Sequence, residues 1–163
     1  MKILIKSRAE IERMSKHPFP EHTAIISITD ADDIPVSLEH EPKYLLRVSF
    51  DDVDNDVFMD ELGRAPTPEE RIEIEIRYNM ITNDQANQIA SFYYNNQKDI
   101  STLICQCEHG QSRSAAVASA ILEFRSRRGI EIFSDDRFYP NKVVFRKVLN
   151  ALKYQFPVCD DVD

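Results

Sequence analysis

Apolar residues along this chain fall into two rhythms. Lys2 to Lys6, Ala24 to Thr29, Tyr44 to Phe50 and Thr102 to Gln106 are short runs rich in isoleucine, leucine and valine, too brief for helices and suited to strands. In the third run Leu46, Val48 and Phe50 alternate as one face of a strand would. The longer segments between and after these runs follow a helical spacing. Ala9 to Met14 predicts a short helix, with Pro18 and Pro20 marking the turn beyond it. Thr82 with Gln85 three residues on reads as a capping box, and Ala86, Ile89, Ala90 and Tyr93 then share one helical side. From Arg113 to about Arg127 the chain is apolar nearly all round, which predicts a buried helix. A last helix follows Pro140-Asn141 and runs to about Tyr154, with Val144, Val148 and Leu152 spaced four apart and Pro157 closing it.

Strands that alternate with helices predict an α/β fold with a mainly parallel central sheet and helices on both faces, a three-layer arrangement. At 163 residues the chain suits one domain, expected over 1–159, with a disordered acidic tail at 160–163. The segment 57–80 carries two conflicting signals. Thr67-Pro68-Glu69-Glu70 is a helix start with proline at the first position and a capping-box glutamate, whereas Ile72-Glu73-Ile74-Glu75-Ile76 alternates like a strand. The four-residue spacing of Ile72, Ile76 and Met80 favours the helix. This segment either shapes access to a site above the sheet or serves as ordinary connection.

Charge narrows the partners. A net charge of −8 with no long basic stretch argues against nucleic acid or an anionic membrane as partner. Arg125, Arg127 and Arg128 are read as cations favouring a helix C-terminus, with Gly129 as the stop. Neither a signal peptide nor a bilayer-spanning run is evident, and three cysteines without a spaced framework fit reduced thiols, so a cytoplasmic protein is expected. No metal site or cofactor is predicted from ligand spacing. Cys105 is read as a small buried residue, with disulfide protection of Cys107 by Cys105 or Cys159 as the sharper alternative.

The chemistry concentrates in Cys107-Glu108-His109-Gly110-Gln111-Ser112-Arg113-Ser114, between the fourth strand and the buried helix. A loop that ends at a helix N-terminus gathers unpaired amides and the positive end of the helix dipole, both of which stabilise an anion. The same surroundings favour a thiolate over a thiol, making Cys107 a candidate nucleophile. Gly110 can adopt positive φ and let the loop curl so that successive amides converge. Arg113 offers a planar fork that grips two phosphate oxygens, and Ser114 can donate to the thiolate. Glu108, His109, Gly110, Gln111, Ser112 and Arg113 thus form a candidate phosphate-binding loop. His109 contributes through its backbone amide, and Ser112 through loop conformation.

In these residues the chain resembles the cysteine-dependent protein tyrosine phosphatase superfamily, in particular its compact dual-specificity and tyrosine-phosphatase-like branch with the signature Cys-x-x-Gly-x-Ser-Arg-Ser. The likeness runs from Cys107 through Ser114. It implies a three-layer α/β catalytic domain, a phosphoprotein or phosphopeptide substrate and a metal-free reaction through a cysteinyl phosphate. It also implies a general acid on a loop upstream. Asp52 is the first candidate because it continues the alternation of Leu46, Val48 and Phe50, and Asp51 is the alternative. The neighbouring Asp54, Asp56 and Asp60 are read as a solvated acidic loop. The family ordinarily has histidine before the cysteine. Here Gln106 stands there, with an amide expected to bond to the loop. Glu108 puts negative charge at the rim, which favours phosphoprotein over polyphosphorylated lipid. Two other readings of the loop stand beside this one: a non-catalytic phosphopeptide-binding module, and a sulfur- or arsenate-handling enzyme using a cysteine loop.

Overall fold

In the computed structural model, which describes residues 1–156, four strands form one all-parallel sheet: β1 (Lys2–Ser7), β2 (Thr23–Thr29), β3 (Tyr44–Ser49) and β4 (Thr102–Cys107). Their spatial order is β1-β4-β2-β3, which places β4 between β1 and β2. Seven helices accompany them: α1 (Arg8–Met14), α2 (Asp56–Leu62), α3 (Pro68–Arg77), α4 (Asn83–Asn96), α5 (Arg113–Ser126), α6 (Ile130–Phe133) and α7 (Lys142–Gln155). The predicted α/β architecture is therefore the observed one. The acidic tail, Cys159 and the stop assigned to Pro157 lie outside the described residues.

Side-chain alternation divides the core between the two faces of the sheet. Ala24, Ile26 and Ile28 of β2, with Leu103, Cys105 and Cys107 of β4, pack beneath α4, α5 and α7 in the main core. Ile25 and Ile104 point the other way, into a smaller cluster with Ile11 of α1 and Val36. The second face is covered more thinly than the first, by one short helix and the irregular segment 30–43 that joins β2 to β3. β2 is buried along its whole length, as expected of a parallel strand covered on both sides.

α5 sits tightest against the sheet, and every residue from Arg113 to Ile121 is buried. Its alanines at 115, 116, 118 and 120 keep side-chain volume low where the helix approaches β4. The expected stop needs correcting. The left-handed residue at its end is Arg127, with φ 57°, and Gly129 has ordinary helical angles as N-cap of α6. Glycine is required there by crowding, since a Cβ would lie 2.7 Å from the Ser119 carbonyl oxygen and 2.8 Å from Glu123 Cβ. Gly129→Ala is therefore expected to destabilise the fold by roughly 1–3 kcal/mol, read as a fall of several degrees in melting temperature by thermal unfolding.

The 57–80 segment contains α2, which the apolar pattern did not mark, and α3, which it did. α3 begins with the predicted capping box of Thr67 and Glu70, and Pro68 stands at its first position. Its buried face differs from the expected one. Ile74 is buried, while Ile72 and Ile76 are 58% and 72% exposed. The isoleucines repeat every second residue, so Ile74 cannot share a helical face with its two neighbours, and the core takes Ile74.

Candidate active site

All four strands are parallel, so their C-terminal ends meet along one edge of the sheet, where ligands bind in open α/β folds. The chain leaves β1 for α1 on one side of β4 and returns through β2 on the other, so the crevice opens at the end of β4, where Cys107 begins the loop. Cys107 is almost fully buried, and its Sγ lies 3.0 Å from Ser114 Oγ. This is the predicted pairing of thiol and hydroxyl.

The loop's curvature is fixed by close packing. Gly110 has φ 68°, and a Cβ there would sit 2.6 Å from the Ser7 nitrogen and 2.7 Å from the Lys6 carbonyl carbon. Glycine is thus demanded both by backbone conformation and by the approach of the β1–α1 junction. Two backbone hydrogen bonds hold the loop on either side: Arg8 N–H donates to the Glu108 carbonyl at 3.1 Å, and Tyr139 N–H to the Gln111 carbonyl at 2.9 Å. Ser112, the N-cap of α5, makes no side-chain cap bond, so the first amides of the helix are not consumed by their own cap. His109 is exposed. Glu108 is paired with Arg8 at 3.2 Å, so its charge at the rim is already matched.

Arg113 opens α5 and is only 3% exposed. One terminal nitrogen, Nη1, donates to the Phe50 carbonyl at 2.7 Å and pairs with Asp30, the residue that follows β2. Nε is buried with no protein partner among the described residues. A guanidinium presents Nε and Nη2 along one edge, so the acceptors on Nη1 leave the opposite edge, the one suited to two oxygens of an anion.

The two candidate acids are held differently. Asp52 lies over the loop, where its Oδ1 accepts from Ser112 Oγ at 2.7 Å and from Asn141 Nδ2 at 3.0 Å. Asp51 is turned away. Its carboxylate accepts from the Ala31 amide at 2.8 Å and from Asn79 Nδ2 at 3.2 Å, tying three loops together. Of the two, only Asp52 is brought to the cysteine loop. Asp54 caps the first amide of α7 at 3.0 Å, and Asp56 opens α2, so the acidic run is partly structural rather than a solvated loop throughout.

Two expectations beside the loop are revised. Gln106 projects to the face opposite Cys107, and its Oε1 accepts from Ser27 Oγ of β2 at 2.7 Å, so the bond made by its amide oxygen is to the sheet and not to the loop. Cys105 shares the Cys107 face and is fully buried, and burial, with the neighbouring Cys107 adding to it, pushes its thiol up. It is a packed core residue with little nucleophilic character.

Asp30 and Asn141 belong to the site although their sequence neighbourhoods do not mark them. Asn141 is buried and works in two directions: Oδ1 caps α7 through the Val144 amide at 3.0 Å, and Nδ2 holds Asp52 and the Val53 carbonyl. The sequence signal for Asn141 was its place as N-cap after Pro140. That for Asp30 was its place at the carboxyl end of a buried strand. α3 does not enter the loop. With Ala31, Ser49 and Met80, Ile72 and Ile76 line a neighbouring groove of about 410 Å³ that contains no loop residue. Among known proteins, no family model matches the chain and no curated protein matches it.

Proposed function

We propose that this protein is a metal-independent protein phosphatase that hydrolyses phosphotyrosine, and possibly phosphoserine or phosphothreonine, through a cysteinyl-phosphate intermediate. The observation that carries the reading is the hydrogen bond from Ser112 to Asp52, which ties a carboxylic acid to a loop already holding a buried thiol and an arginine edge. A phosphate-binding module would need the loop alone.

In the first step the Cys107 thiolate attacks phosphorus and the bond to the ester oxygen breaks. The free edge of Arg113 and the loop amides hold the non-bridging oxygens, where charge is stabilised as the bonds change. Both donors to Asp52 converge on Oδ1, which leaves Oδ2 to deliver a proton to the departing oxygen. In the second step Asp52, now ionised, takes a proton from water. The water oxygen attacks phosphorus, the sulfur–phosphorus bond breaks, and inorganic phosphate leaves while the thiolate is restored. Ser114, at 3.0 Å, donates to the returning thiolate.

The test is release of inorganic phosphate from phosphotyrosine, phosphoserine and phosphothreonine peptides in excess chelator. Turnover of the phosphotyrosine peptide, undiminished by the chelator, is expected. Tight binding without release would instead identify a binding module, and sulfur transfer from thiosulfate without phosphate release a sulfur-handling enzyme.

A further inference from the structure

Within the phosphatase reading, on which this rests, we infer that Asp30 is the positioning residue for Arg113, selecting the edge of the guanidinium that meets phosphate. Arg113 carries five N–H donors and could turn any of its edges toward the loop. Its two acceptors differ in kind. The Phe50 carbonyl takes one hydrogen of Nη1, and the Asp30 carboxylate takes the other in a charge-assisted bond, so Nη1 is fully committed. What remains is the side formed by Nε and Nη2, and Nε is buried with no protein partner among the described residues. A buried arginine donor left unsatisfied is costly, and an anion on that side satisfies it.

The environments of the two partners fit a positioning role. Arg113 is buried and immobile at the start of α5, whereas the Asp30 side chain is 47% exposed at the end of β2. Asp30 reaches Arg113 from the solvent side, and Phe50, at the start of the acid loop, supplies the backbone acceptor. β2 and the end of β3 therefore fix the arginine from outside the cysteine loop. Asp30 touches neither the thiol nor the general acid, so its removal should weaken oxyanion binding and leave proton transfer alone.

That division sets the experiment. Tungstate affinity and kcat/KM are measured for the wild type, Asp30→Ala, Asp30→Ser and Asp30→Asn, each on one aryl phosphate with a good leaving group and one with a poor leaving group. Melting temperatures confirm folding, and the serine variant substitutes for the alanine variant if that one does not fold. Asp30→Ala and Asp30→Ser, which cannot reach Nη1, are expected to weaken tungstate binding about tenfold and to lower kcat/KM by the same factor on both substrates. Asp30→Asn keeps an acceptor oxygen and is expected to recover most of that loss. Wild-type tungstate affinity in folded Asp30→Ala or Asp30→Ser overturns the inference, as does a loss confined to the poor leaving group or the absence of any rescue by asparagine. If the wild type itself neither binds tungstate nor releases phosphate, the phosphatase reading fails first, a result distinct from failure of the Asp30 role alone.

Discussion

Cys107→Ser is expected to lower phosphate release from an aryl phosphate by about four orders of magnitude or more, leaving the fold intact and substrate binding close to wild type. The magnitude follows from the role. Removing the nucleophile from a site that acts as a unit leaves only what binding and electrostatic stabilisation supply. A serine hydroxyl is nearly isosteric with the thiol but far less ionised at neutral pH, and nothing beside Cys107 is placed to serve as its base. Ser114 is a hydroxyl, and Asp52 bonds to Ser112 on the far side of the loop. Binding should persist because the Arg113 edge and the helix amides do not depend on sulfur. The measurements are steady-state phosphate release and calorimetric titration of the variant with a phosphotyrosine peptide. Turnover near that of the wild type would remove Cys107 from the chemistry.

Asp52→Asn is expected to slow hydrolysis of a poor leaving group by roughly 10²–10⁴-fold, the range for loss of a positioned general acid. The loss should shrink sharply with a good leaving group, which departs without a proton. Asparagine retains an oxygen able to accept from Ser112 and Asn141, so the acid loop keeps its anchor while losing the transferable proton. Asp51→Asn makes the control. Its carboxylate is engaged by Ala31 and Asn79, away from the cysteine loop, so its loss should not depend on the leaving group. Equal losses on good and poor leaving groups for Asp52→Asn would deny it the role of acid.

The parts of the site visible in the sequence are those in which chemistry and chain are contiguous. Cys107, Gly110, Arg113 and Ser114 lie within eight residues, and strand, loop and helix follow one another, so residue type and spacing were enough. Asp52 was partly legible, because strand alternation carried just far enough to prefer it to Asp51 although β3 ends at Ser49. Asp30 and Asn141 were not legible as site residues. Each is brought in by a tertiary hydrogen bond, over separations of 83 and 89 residues from their partners Arg113 and Asp52, and neither belongs to a local pattern.

The fold was legible on similar terms. Four strands and the buried helix α5 stood out because parallel strands covered on both faces need continuous apolar runs. α2 did not stand out, since a seven-residue helix with only Phe58 buried leaves little periodicity. In α3 the capping box identified the helix, but isoleucines at every second position fit two helical faces, and only packing decided that Ile74 enters the core. Gln106 shows a related limit. Its place beside the cysteine implied a loop contact, yet the pleat turns it to the other face of β4, toward Ser27.

The central claim is a covalent phosphoryl-enzyme on Cys107, and acid-quenched mass spectrometry of Asp52→Asn during turnover of a good-leaving-group aryl phosphate tests it most directly. With that substrate the first step needs no proton, whereas the second still lacks the base that activates water, so the intermediate should accumulate. Phosphate on the peptide containing Cys107, absent from the Cys107→Ser,Asp52→Asn double variant, is the predicted result. Phosphate release that proceeds with Cys107 unmodified throughout would contradict it.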